Sequence, residues 1–198
     1  MKLSFKTIMI CITIGLIAAT SVPAVELSDE EIDNIVRRSY QYVAMYNVIN
    51  KNATMESPFM TGWNGTYAME GLADHTAKMI ARPNNDTLYV TTSLDLRNDA
   101  VVVHYPAFDS KFVCLETSAY DHYVGVPLST TKGDFNKPVN LLFYSARTQG
   151  YSGEAVEGVD TIIEMTGDFA TAFLRVMPHA AEPERLKTNL AAMQEVKA

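Results

Sequence analysis

Cysteine is almost missing from this chain: Cys11 and Cys114 are the only two in 198 residues. Cys11 lies in an N-terminal apolar stretch that reads as a removable leader, so Cys114 alone would remain and an intramolecular disulfide is excluded. Stability then has to come from a packed core, and the chain is long enough for one domain that has one. Positive charge is also short, with 16 Lys and Arg against 23 Asp and Glu and a formal net charge of −7. Such a surface is a poor match for nucleic acid or an anionic membrane, and neither is expected as a partner. Glycine-rich phosphate loops and the Gly-x-Ser-x-Gly elbow are absent. His75, His104, His122 and His179 are scattered, with no His-x-His or His-Glu-x-x-His spacing. No metal site and no cofactor is expected from these residues.

The one long apolar run opens the chain. Lys2 and Lys6 give it a positive start, Thr7 to Ala19 carry no charge, and Val22-Pro23-Ala24 offers small residues for a signal peptidase. The run falls short of the roughly 20 residues of a membrane span. Ile10 stands before Cys11, where a lipoprotein signal needs a small residue. The expectation is a signal peptide over 1–24 and a soluble, periplasmic or secreted chain from near Val25, with no membrane span after cleavage. Losing Lys2 and Lys6 would take the net charge from −7 to −9. Glycosylation-type triplets begin at Asn52, Asn64 and Asn85, and mark surface only on a eukaryotic secretory route.

Ser28-Asp29-Glu30-Glu31 is a capping box, and Ile32, Ile35, Val36, Tyr40 and Val43 follow at helical spacing. A helix to about Asn47 is predicted, then a loop from Lys51 to Asn64; Thr66 to Ala81 fits neither period. Short β-branched and aromatic runs then predict strands at Thr87–Leu94, Val101–Tyr105, Lys111–Ala119, His122–Val126, Val139–Ser145, Thr161–Met165 and Phe169–Met177. Turn residues bound each run, the pattern of an antiparallel sandwich or barrel. Pro183 begins a last helix with Leu186, Leu190 and Met193 on one face. The expected division is an N-terminal helix and loop over 25–65 and a β-sandwich domain over 66–198 that ends in a helix.

The residues able to carry chemistry each have a plainer use. In a strand, adjacent side chains oppose, so Asp121 would not orient His122; Tyr120 would share a face with His122, and Tyr123 with Asp121. Arg82-Pro83-Asn84-Asn85-Asp86-Thr87 is good turn chemistry, yet Arg82 or Asp86 facing a cleft would make it a binding loop. Ser129-Thr130-Thr131-Lys132 has the Ser-x-x-Lys spacing of an acylating serine without its companion motifs. Cys114 sits in an apolar strand and reads as core. Arg147 and Arg175 close or interrupt apolar strands and call for acidic partners, with Asp121, Asp160 and Asp168 in view. Arg82, Asp86, Asp121, His122 and Arg147 are the candidate binding or catalytic residues.

Taken together, Arg82-Pro83-Asn84-Asn85-Asp86-Thr87-Leu88-Tyr89, Leu94-Asp95-Leu96, Tyr105-Pro106-Ala107-Phe108-Asp109-Ser110-Lys111, Tyr120-Asp121-His122-Tyr123-Val124, Gly133-Asp134-Phe135, Phe143-Tyr144-Ser145-Ala146-Arg147 and Arg175-Val176-Met177-Pro178-His179 resemble a bacterial family known as domain of unknown function 1254. The resemblance implies a mainly β fold: an immunoglobulin-like antiparallel β-sandwich with an N-terminal and a C-terminal helix, usually exported. It also implies a second β-rich domain after this one, and the chain stops about where that domain would begin. A lone version, a separately encoded partner half and a fragment all stay open. The functional expectation is a module that binds a ligand or partner (a small molecule, a glycan, a second β-domain), docking through the apolar face of the last helix. The alternative is a hydrolase- or lyase-like enzyme with its site at the sandwich mouth.

Overall fold

Ser28 opens the first helix as its neighbours dictate. The Ser28 amide and hydroxyl both donate to Glu31 Oε2 at 2.8 Å, and the Glu31 amide donates back to Ser28 Oγ at 3.3 Å. These bonds hold the Glu31 carboxyl below the usual carboxylate range. The computed structural model describes residues 26–54, 62–78 and 82–198, so the leader expected over 1–24 lies outside the described residues. Helix α1 spans Asp29–Thr54. It therefore runs through Lys51, where a loop was expected, because Ile49 and Ala53 continue its buried face.

The strands are β1 (Thr66–Ala68), β2 (Leu88–Asp95), β3 (Val101–Tyr105), β4 (Val113–Ser118), β5 (Val124–Ser129), β6 (Val139–Ser145), β7 (Thr161–Met165) and β8 (Phe169–Val176). Helix α2, Pro183–Gln194, closes the order. One sheet runs β1-β2-β8-β4-β5 and the other β3-β6-β7. The fold is thus mainly β, two sheets with a helix at each end of the chain. One expectation is corrected: the strands are not all antiparallel, since β6 and β7 pair in parallel from Leu141 with Thr161 to Ser145 with Met165. Residues 146–160 supply the crossover of about a dozen residues or more that such a pair needs.

Alternation along the strands makes the core. Leu88, Val90 and Leu94 of β2, Val113 and Leu115 of β4, and Ala170, Ala172, Leu174 and Val176 of β8 point inward. Val103, Tyr105, Leu141 and Phe143 join the same buried cluster from the other sheet. Cys114 points the other way on β4 but is also buried, and burial pushes its thiol up, away from a reactive thiolate. The α2 face is spent here too: Met193 and Val196 are core, with Leu186 and Leu190 against it. That face, expected to dock a partner, packs against the chain's own core.

Sheet edges are managed. Lys132 Nζ donates to the Val126 carbonyl at 2.6 Å, blocking part of β5. The Lys197 amide and carbonyl exchange bonds with His104 on β3 at 3.2 and 2.7 Å. Inside, the Tyr105 hydroxyl is buried with no hydrogen-bond partner, and burial pushes it up beyond its ordinary range. Tyr105→Phe removes that polar atom and is expected to stabilise the protein by about 1 kcal/mol. A lower urea midpoint for the variant would refute this.

Candidate functional site

The sheet register separates the candidate residues. Leu88 pairs with Val176, which pairs with Val113, so these define one end of the five-stranded sheet; Asp95 pairs with Phe169 at the other. Arg82 and Asp86 precede Leu88 and belong to the first end. Asp121 and His122 follow β4, and Arg147 follows β6 to reach Asp168 just before Phe169, which places all three at the second. The eight residues of β2 between the ends span about 25 Å.

At the first end the expected turn chemistry is present. Asn84 Oδ1 accepts the Asp86 amide at 2.7 Å, while its Nδ2 donates to Thr87 Oγ1 at 3.0 Å and to the Tyr89 hydroxyl at 2.6 Å. Asn84 thus fastens the turn to the strand it feeds. Arg82 and Asp86 are exposed. Beneath the turn, Arg175 stacks over Tyr89 at 5.8 Å and donates to Glu116 Oε1 at 2.9 Å. Its partner is Glu116, which the sequence did not single out.

At the second end, Asp121 and His122 form a turn and not the expected strand. Asp121 Oδ1 accepts the Tyr123 amide at 3.1 Å, and His122 adopts a left-handed backbone with φ of 63°. Asparagine and aspartate turn geometry of this kind competes with strand pairing, and it delays β5 to Val124. The His122 ring reaches helix α1, donating from Nε2 to the Gln41 carbonyl at 2.9 Å. Arg147 makes a fork with Asp168, Nε to Oδ1 at 3.1 Å and Nη2 to Oδ2 at 2.7 Å. Ser145 Oγ donates to the same carboxylate at 2.9 Å, and Thr148 Oγ1 donates to the Leu96 carbonyl at 2.7 Å. Asp95 binds Arg97, whose hydrogen bond holds its carboxyl low, and Arg97 lies 4.5 Å over Phe169. Tyr46 of α1 meets both Phe169 and Tyr120 edge-on. The carboxylates of this end are paired, the Tyr120 hydroxyl is buried without a hydrogen-bond partner, and the ring cluster seats the helix.

One constellation escaped the sequence. Ser110 Oγ lies 3.1 Å from His179 Nε2, and His179 Nδ1 lies 3.3 Å from Glu182 Oε1. These spacings match a serine, base and orienting acid. The Lys111 amide, however, donates to the same Nε2 at 3.1 Å, which takes the lone pair a general base would use. Ser110 Oγ also lies 3.1 Å from the Phe112 carbonyl, and the His179 side chain is 1% exposed. The arrangement clamps the start of α2 to the β3–β4 connection. Arg185 reinforces it with bonds to Asp109 at 2.9 Å and to Glu182 at 3.2 Å. The available signal was the pairing of two quoted motifs, the one ending Asp109-Ser110-Lys111 and the one ending Pro178-His179.

Among the described residues, α1 carries a run of exposed apolar side chains. Ile32, Ile35, Val36, Tyr40, Tyr42 and Val43 are exposed, Val36 at 63% and Tyr40 at 73%. From Asp29 to Arg38 every residue is exposed, so about 15 Å of helix stands clear of the β-body. No helix among the described residues is long and apolar enough to cross a membrane.

A β-rich body with two helices, built on these motifs, defines the class. The chain belongs to the family described as protein of unknown function DUF1254, whose model matches residues 63–197. Among solved structures it is similar to the VPA0106 protein from Vibrio parahaemolyticus, at 22% identity and a TM-score of 0.61 over 83% of this chain and 36% of that one. A second similar structure is an uncharacterized protein from Burkholderia cenocepacia, at 16% identity and a TM-score of 0.38 over 84% and 50% of the two chains. The chain thus spans about a third of the first structure's length and half of the second's. No curated protein matches it.

Proposed function

We propose that this chain is an exported partner-binding module, an immunoglobulin-like sandwich that docks a second β-rich body through helix α1. The exposed aliphatic and aromatic face of α1 carries the proposal. An amphipathic helix normally buries such a face, and a contiguous apolar patch on a surface marks an interaction site. The candidate residues support the same choice, since Asp86 lies at the opposite end of the sheet from His122 and Arg147. The hydrolase-like alternative has its best geometry at Ser110 and His179, where Nε2 is already engaged.

A photo-crosslinking residue at Val36 should capture a polypeptide in the native host. The same residue at Asn34, on the far side of the helix, should capture none. Equal capture at both positions, or none at Val36, would remove the basis for the proposal.

A further inference from the structure

We infer that the body docked on α1 is a second copy of this chain, held by an antiparallel α1–α1 pair centred near Ile35 and Val36. This rests on the partner-binding reading of the same surface. Self-pairing follows from how charge is laid out along the protruding half. Asp29, Glu30, Glu31 and Asp33 fill its first turns, and Arg37 and Arg38 come next. A parallel pair would set acids against acids. An antiparallel pair sets Glu31 and Asp33 of each copy beside Arg37 and Arg38 of the other, while Ile32, Ile35 and Val36 fill the seam. Arg37 bonds Asp33 of its own chain at 2.7 Å in the exposed helix, and the pair exchanges or shares that contact with the second copy. Two-fold pairing needs this kind of self-complementary patch.

The β4–β5 turn leaves that seam clear. The bond from His122 to the Gln41 carbonyl holds the turn against α1, and Gln41 stands about two turns from Asn34, on the side of the helix away from Ile32, Ile35 and Val36.

Sedimentation of the purified chain over a micromolar concentration series should show a monomer–dimer equilibrium. Val36→Asp should weaken the dimer by about 100-fold or more and leave the unfolding midpoint unmoved at concentrations where the unsubstituted chain is monomeric, because Val36 is exposed and outside the core. Charge exchange gives the stricter test. A Glu31→Lys, Asp33→Lys variant and an Arg37→Glu, Arg38→Glu variant should each be monomeric alone and should dimerise when mixed. A chain monomeric at every concentration, a dimer indifferent to Val36→Asp, or variants that ignore each other would each overturn the inference. If the chain is monomeric and Val36 crosslinks to a different polypeptide, the second copy is excluded and the binding module stands. No crosslink at all would remove both.

Discussion

Leu174→Ala is expected to cost about 3–4 kcal/mol and to lower the thermal midpoint by roughly 10 °C. Strand β8 is the middle of the five-stranded sheet, and Leu174 lies in the middle of β8, paired with Val90 on one side and Leu115 on the other. Leu174 and Leu115 are fully buried and Val90 is 1% exposed. The neighbours are strands locked in register on both sides, so the sheet cannot collapse into the vacated volume and the cavity persists. Leu174→Met keeps the volume and should cost less than about 1.5 kcal/mol. Urea unfolding followed by Trp63 fluorescence measures both. A loss under about 1 kcal/mol for the alanine variant would mean that β8 is not the packed centre described.

His179→Ala is expected to cost about 2–4 kcal/mol, from an amide left unpaired inside the protein together with the lost ring volume. The orphaned donor is the Lys111 amide, and the released acceptor is Glu182. Ser110→Ala should cost only about 1 kcal/mol, since one hydroxyl is lost where carbonyl and ring acceptors remain. The two substitutions separate a clamp from a catalytic relay. A relay would make Ser110 reactive toward a fluorophosphonate and would leave stability nearly indifferent to His179. The expected result is no labelling of Ser110 and a large stability loss at His179. Covalent labelling of Ser110 would reverse that reading.

Local signals were legible in the sequence where a short stretch settles its own structure. The capping box at Ser28 and Glu31 formed as spaced, and β3, β6 and β7 occupy the residues their patterns predict. Asn84 behaves as turn chemistry requires. Pairing between distant strands was not legible, because alternation specifies a face and not a neighbour. That is why the parallel β6–β7 pair was missed, and why Arg175 was matched to aspartates when Glu116 was one strand away. The same limit governs the helices. Periodicity marked an apolar face on both α1 and α2, and only the packing shows that α2 spends its face on the core while α1 leaves its own outside.

The strand order also sets a dependence. The β1–β2 and β4–β5 pairs meet only through β8. Without Phe169–Val176 neither pair has its central neighbour, and the hydrophobic interior has no wall on that side. One segment therefore acts as the keystone of the five-stranded sheet, and damage confined to it parts the two flanks together.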